Sequence, residues 1–432
     1  MARRGAVGVG PRRGQAAARS RRRGVALLAM LVAIGFTLSA CGDTNPYSHI
    51  SPRTETADDI QFLYKIVFWA AVIVFVLVQF FIAYTALRFR KSNIADTADR
   101  PEQIHGNKTL ELTWTIVPAI VLLVILIPTI TTLYEFDAEA DEVDEGGMIV
   151  DVYAKHWWWE IHYPDALGNP TNVQNPEGEE PPGIVTANEV RVPVGKEVVF
   201  RLHSNNVIHS FWVPQLTGKM DVIPGHNNRL AMTPREPGTY YGECTEFCGE
   251  QHAWMRFTVV AEPQESFDAW VAAWNAPPDQ AAAAAANTGD VAIAPSSFGL
   301  CIGCHRVNGV DQLLRPNGEP GPIPPHVAGI GGLYNQGPNL TLFGCRDYFA
   351  GGVMKNTPEN LRQWLYDPAS VKSGNLMSTV IQRGTLPPEQ IEELTNWLGS
   401  LKLPGGTCPA DAGQDPGDAR IQDAPTTETE TP

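Results

Sequence analysis

The sequence predicts a multidomain chain: a two-span transmembrane α-hairpin, then a small β-sandwich, then a mainly α domain. Three observations predict it. Residues 66–87 and 112–134 carry no charge over 22 and 23 residues, each enough to cross a bilayer. From about 147 the pattern changes to short alternating runs broken by Gly and Pro turns, as strands of a sandwich are. After an alanine run at 281–286, the stretch 291–403 closes on apolar Ile391, Leu394, Trp397, Leu398 and Leu401 at helical spacing. A length of 432 residues suits about two or three domains. Charged residues are 18% and hydrophobic ones 44%, with mean hydropathy −0.14. That mixture excludes a wholly disordered chain and a pure multispan transporter.

Arg3, Arg4, Arg12, Arg13, Arg19, Arg21, Arg22 and Arg23 make a basic n-region, and 25–38 is an apolar h-region too short to span comfortably. It ends in Leu38-Ser39-Ala40-Cys41-Gly42, which resembles a bacterial lipobox. Residues 1–40 are read as a lipoprotein signal peptide and Cys41 as the lipidation site. The alternative is an ordinary signal anchor with an incidental Cys. The chain beyond Cys41 is exported in either case. Net charge is −15 overall, but residues 1–40 hold eight Arg and no acid, so the rest carries −23. A surface that acidic disfavours nucleic acid, and a charged partner should be basic.

Residues 41–61 are read as an extracytoplasmic N-terminal segment and 62–135 as the hairpin. Pro118 and Pro128 lie inside the second run, where membrane helices tolerate them. The connecting loop carries Arg88, Arg90, Lys91, Arg100 and Lys108, whereas Glu135, Asp137, Glu139, Asp141, Glu142, Asp144 and Glu145 come after the second run. The positive-inside rule puts the loop in the cytoplasm and both flanks outside. The expected location is the bacterial cell membrane, with both later domains on the extracytoplasmic side.

In the exported part, 148–154, 189–192, 197–202 and 256–261 read as strands, with a turn at 193–196. The sandwich is assigned to 147–262. Residues 263–276 look like a short helix carrying Trp270 and Trp274, and 263–290 is read as a linker. The helical domain takes 291–403, with its last helix at 388–401. The tail 404–432, with six acids and one Arg, is expected to be disordered.

Residues 244–255 pack Cys244, Cys248, His252 and Met255 into twelve positions, with His209 upstream. Thiolate, thioether and imidazole ligands suit copper. Two Cys four apart on one loop can each bridge two metal ions, sharing the odd electron across a rigid thiolate core. A disulfide is the competing use of the two thiols; a mononuclear blue-copper site needs only one Cys. His162, His203 and His226 lack such company and read as surface or packing residues.

The pattern C-x-E-x-C-G-x-x-H-x-x-M, preceded by H-S-x-W at 209–212, resembles the CuA signature of cytochrome c oxidase subunit II. The segment 111–118 resembles the same family's E-x-x-W-T-x-x-P at the start of its second span. The resemblance implies a cupredoxin-like β-sandwich and a dinuclear CuA centre. Cys244 and Cys248 would bridge, His209 and His252 would be terminal, Met255 axial to one copper and the Glu246 carbonyl axial to the other. It further implies Mg or Mn at Glu246, shared with subunit I, and a proton-uptake entrance at Glu111; a Glu merely at the interface is the alternative. The run His156-Trp157-Trp158-Trp159-Glu160 resembles the family's aromatic strip, with Trp157 where electrons come in. One position departs from the pattern. The family commonly has acids just before the copper His, where a basic cytochrome docks, and here Asn205 and Asn206 stand there.

Cys301-Ile302-Gly303-Cys304-His305 is C-x-x-C-H, in which two thiols bond haem vinyl groups and the His becomes the proximal ligand. A thioredoxin-like reading lacks its βαβ context. The loops 337–341 and 371–377 resemble those that support the proximal His and present the distal Met of a class I cytochrome c. The resemblance implies a mainly α class I cytochrome c domain with one covalent haem c, axial ligands His305 and Met377; Met354 is the competitor. Cys345 and Cys408 remain, and a disulfide between them is their simplest use outside the cytoplasm.

A subunit II fused to a cytochrome c resembles the caa-type oxidases. The implied path runs from an upstream donor, a cytochrome c or a quinol–cytochrome c reductase complex, to haem c, then CuA, then subunit I. There O2 is reduced to water with proton pumping. Subunits I and III and membrane lipid are the expected partners. The two runs contain no His to hold an oxygen-reducing haem, so the chain is active only within the complex. A quinol oxidase subunit would lack the copper Cys. The rivals left open are a CuA-containing nitric oxide reductase and a stand-alone membrane-anchored electron carrier.

Overall fold

A computed structural model describes residues 47–89, 106–141, 146–164, 184–274, 293–308, 310, 312–315, 317–322, 337–402 and 408. The chain divides into Met1–Asn45 and Pro46–Pro432, and the described residues all lie in the second unit. The expected signal peptide, Cys41, the alanine run and all of the tail except Cys408 lie outside the described residues.

Helices α1 (Glu55–Arg88) and α2 (Lys108–Asp141) pack against each other and present apolar side chains outward, Phe75 and Leu122 among them. Both are long and apolar enough to cross a membrane, where every backbone group is satisfied within the helix. They form the two-span hairpin. α1 begins well before its uncharged run, because Thr54 caps it: the Thr54 hydroxyl accepts from the Ala57 amide at 3.0 Å. That hydroxyl also donates to the Leu216 carbonyl of the next domain. Arg235 pairs with Asp58 at 2.7 Å and Arg53 with Glu236 at 2.8 Å, and α2 lies against strand Asn228–Met232. The base of the hairpin is thus clasped to the sandwich. At the far end of α2, Asn107 caps through its side chain, and Glu111 Oε1 accepts from the Asn107 amide at 3.2 Å.

Ten strands build the sandwich among the described residues: β1 (Met148–Lys155), β2 (Trp158–Tyr163), β3 (Ile184–Ala187), β4 (Glu189–Pro193), β5 (Val198–Ser204), β6 (His209–Trp212), β7 (Met220–Val222), β8 (Asn228–Met232), β9 (Gly238–Cys244) and β10 (Arg256–Glu262). One sheet has the order β3-β2-β1-β5-β8, the other β4-β10-β9-β6-β7. Most strand residues are buried, with the core between the two sheets. Trp159, Phe211 and Phe257 meet at the centre, with Phe211 and Phe257 stacked 4.4 Å apart and Trp159 edge-on to both.

Helix α3 (Gln264–Trp274) corrects the expected extent of the linker. It buries Phe267, Trp270 and Trp274 on the sandwich core, with Trp270 5.2 Å from Tyr163. Residues 263–274 therefore belong to the sandwich; burial of two indoles and a phenyl ring outweighs the linker-like composition beyond them.

The C-terminal domain contains short strands β11 (Ile293–Ala294), β12 (Gln312–Leu314), β13 (Pro320–Pro322), β14 (Tyr348–Phe349) and β15 (Met354–Lys355), and helices α4 (Pro358–Tyr366), α5 (Pro368–Val371) and α6 (Pro388–Gly399). Its core joins Phe298 to Trp397 at 4.8 Å, with Leu361, Leu365, Leu394 and Leu398 around them. A disulfide joins Cys345 to Cys408, with Cα atoms 5.1 Å apart.

Candidate metal centre and the adjoining cavity

β6 opens with His209 and β9 closes with Cys244, so adjacent strands of one sheet bring them together. The loop after β9 turns back through Cys248 and a 3-10 turn at His252–Trp254 to Met255, whose carbonyl accepts from the Cys244 amide at 3.0 Å. The sulfurs of Cys244 and Cys248 are 3.7 Å apart and unbonded. That answers the competing disulfide reading. Cys244 Sγ is 3.9 Å from His209 Nδ1 and 3.3 Å from the Glu246 carbonyl. Cys248 Sγ is 3.7 Å from His252 Nδ1 and 3.9 Å from Met255 Sδ. Each thiol thus has one imidazole and one weaker donor.

His209 and Met255 are fully buried. His209 Nε2 donates to Asn206 Oδ1 at 2.8 Å, which leaves Nδ1 with its lone pair toward the sulfurs. The Cys248–Cys244 hydrogen bond holds the Cys244 thiol well below its usual value and pushes Cys248 up. A thiol held down in this way is readily available to a soft cation as thiolate. The donor set of two thiols, two imidazoles and a thioether, all buried but the half-buried His252, fits copper.

The three histidines read as surface or packing residues lie away from the sulfurs. His203 bonds Asp151 at 3.1 Å, His162 bonds Glu160 at 2.9 Å, and His226 is exposed.

Trp157 Nε1 donates to the Cys248 carbonyl at 2.9 Å. The same indole lines a cavity of about 170 Å³ in the C-terminal domain, together with Cys301, Cys304, His305 and Met377. Phe298, Leu340, Phe349, Leu361 and Leu394 make most of its wall apolar, as a flat macrocycle requires. His305 Nδ1 donates to the Pro338 carbonyl at 2.8 Å, leaving Nε2 as the nitrogen with a lone pair. Burial pushes His305 down, so its imidazole is neutral. Gly337 lets the supporting loop press on that ring; a Cβ there would fall 2.6 Å from His305 Cε1. Arg346, buried and pushed down to about 10 by that burial, donates to the Asn339 and Thr341 carbonyls and stiffens the same loop. Met354 is buried in the core and does not line the cavity. Thiols, a neutral imidazole and a thioether around an apolar slot fit a covalent haem.

Two family models match: cytochrome c oxidase subunit II, transmembrane domain, over 51–132, and cytochrome c oxidase subunit II, periplasmic domain, over 148–262. Cytochrome c oxidase subunit 2 of Alkalihalophilus pseudofirmus is 32% identical over 370 residues, which covers 85% of this chain and 94% of that one. The chain belongs to the cytochrome c oxidase subunit II family. The subunit 2 of Bacillus sp. strain PS3 is 35% identical over 70% of this chain and 77% of its own length, and that of Bacillus subtilis 30% over 87% and 97%. Matched stretches of 370 and 392 residues run past the sandwich of this subunit II. Its cluster of His209, Cys244 and Cys248 lies inside the matched periplasmic domain.

Three residues of the site escape sequence reasoning. Asn206 is legible only as a missing acid, Arg346 gives no signal, and Lys372 stands out only as one member of the Met377 loop.

Proposed function

We propose that this subunit II is the electron-input chain of a terminal respiratory oxidase, taking electrons at haem c and passing them through dinuclear CuA to subunit I, where O2 becomes water and protons are pumped. One observation carries the reading: Trp157 touches both the Cys248 carbonyl at 2.9 Å and the cavity lined by Cys301, Cys304, His305 and Met377. A single indole thus joins two candidate redox sites.

Cys244, Cys248, His209, His252, Met255 and the Glu246 carbonyl would hold the coppers. A copper pair held there supplies one-electron chemistry with small reorganisation. The chain's own contribution is rigidity and dryness. β6 and β9 are hydrogen-bonded neighbours, and Asn206 fixes the His209 ring. Cys301 and Cys304 would hold haem c by thioether bonds, and His305 and Met377 would supply its iron ligands; a His/Met pair raises a haem's potential. His305 is oriented by the Pro338 carbonyl and Met377 by its 3-10 turn, Leu376–Thr379.

Exposed Phe247, Val207 and Ile208 beside the copper loop support packing against subunit I. The charge pattern supports a cytoplasmic hairpin loop, with both metal domains outside. Lipidation at Cys41, Mg or Mn at Glu246, subunit III, and a cytochrome c or reductase donor complete the proposal. Glu111 would mark proton uptake, beside its capping of Asn107.

The test is a reduced-minus-oxidised spectrum of the detergent-solubilised protein, with metals counted. A c-type α band, an oxidised near-infrared band, and about two copper and one iron per chain are expected. Haem without copper would reduce the chain to a membrane-anchored cytochrome.

A further inference from the structure

Lys372 sits at the end of α5, five residues before Met377, and its side chain leaves the C-terminal domain. Its ammonium donates to the Trp157 carbonyl at 2.9 Å, the Trp254 carbonyl at 3.0 Å and the Ala350 carbonyl at 3.3 Å. Three N–H donors meet three acceptors. Two acceptors belong to the sandwich: one is on the indole residue that bonds Cys248, the other on the residue before Met255. The third belongs to the bend between β14 and β15. Lys372 is 4% exposed and, among the described residues, no carboxylate pairs with it.

A buried ammonium is costly to desolvate; burial pushes this one down to about 7. Packing alone would be met more cheaply by an apolar side chain. What a lysine adds is direction: it reaches three carbonyls on three segments at once. The surroundings are built for that reach. Gly351, at φ +76°, faces it so closely that a Cβ would fall 2.5 Å from Lys372 Nζ. Beside it the Arg256 amide donates to the Gly351 carbonyl at 2.9 Å, Gln251 Nε2 donates to the Ser373 carbonyl, and the Ser373 hydroxyl donates to Glu250 Oε1 at 3.1 Å.

We infer that Lys372 is a positioning residue that fixes the Met377 loop against the Trp157–Cys248 contact, setting the separation between the C-terminal cavity and the metal centre. The inference rests on the proposed function, because separation matters only if an electron crosses.

Lys372→Met keeps the length and removes the donors. In the solubilised full chain, compared at equal metal content, amide exchange at Arg256, whose hydrogen bond to Gly351 crosses the domain contact, should accelerate about tenfold or more. Flash-initiated transfer from haem to copper should slow on the order of tenfold to a hundredfold and become dependent on viscosity, with the copper resonance unchanged. If Lys372→Met fails to fold, Lys372→Gln, with two donors on a shorter arm, gives the same comparison. Wild-type exchange at Arg256 with wild-type transfer would overturn the inference. A wild-type chain lacking copper or iron would instead overturn the proposed function, and the exchange would still report on Lys372.

Discussion

Asn206 accepts the Nε2 proton of His209 and, through the same oxygen, the Val207 amide at 2.6 Å. An acid at that position would put a charge behind the proposed copper ligand His209; an amide orients the ring without one. Asn206→Leu should therefore lower copper affinity by about 10- to 100-fold, read by competition with a chelator of known strength. Cys244→Ser or Cys248→Ser should abolish the near-infrared band and leave less than the full copper count, while the haem spectrum persists. These residues differ in how legible they are in the sequence. Cys244, Cys248, His252 and Met255 share one loop, so their spacing exposes the chemistry. His209 is found only through its H-S-x-W context. Asn206 acts through a partner's far nitrogen, and Lys372 acts across a domain boundary; neither relation has a local pattern.

At the scale of elements, β1 and β5 run parallel and set Asp151 beside Arg201. Burial pushes the Asp151 carboxyl up, but hydrogen bonds from His203 and Arg201 outweigh it and hold it below the usual carboxylate range. A depressed carboxyl stabilises the fold above its unfolded value and loses that contribution as pH falls through its folded value. Asp151→Asn should cost about 1.5–3 kcal/mol at pH 7, and the gap in melting temperature from wild type should close below about pH 4. The Cys345–Cys408 bond closes 63 residues of the C-terminal domain. Cys408→Ser should lower that domain's stability by about 2–4 kcal/mol, seen in the urea midpoint followed at the haem band. Strands β1, β4, β5 and β10 are legible because each is a run of five to eight residues rich in Val and other strand formers. β2 is nearly all buried, and β3, β6 and β7 are four residues or fewer, too short for a period-2 pattern to stand out. α3 is legible as a helix but not as core, because what Trp270 packs against, Tyr163, lies more than a hundred residues earlier.

At the scale of the whole molecule, the C-terminal domain lies over Trp157: Lys372 donates to the Trp157 carbonyl, and the Ser373 carbonyl accepts from Gln251 of the sandwich. A soluble cytochrome would meet that domain before it met the indole. On the proposed function, turnover with a soluble basic cytochrome should thus depend on the C-terminal domain: replacing Cys301 and Cys304 by Ala should remove most of it, measured as O2 uptake with copper content unchanged. Undiminished uptake would show that a donor reaches the copper loop directly. The order of the three parts is readable from hydropathy and composition. Their mutual contacts are not, since linear patterns carry no distances between domains.

The clasp formed by Thr54, Asp58 and Arg235 has a mechanical side. It joins the first turn of a membrane helix to the sheet system that carries Cys244, so the metal loop has a set height above the lipid surface. Lateral drift, tilting of the headgroup layer and thermal breathing of the bilayer move the hairpin and the loop as one body. An acceptor embedded in the same membrane then meets its partner at constant depth. Variation in turnover has to originate on the donor side, where Lys372, rather than the lipid, sets the play between the moving parts.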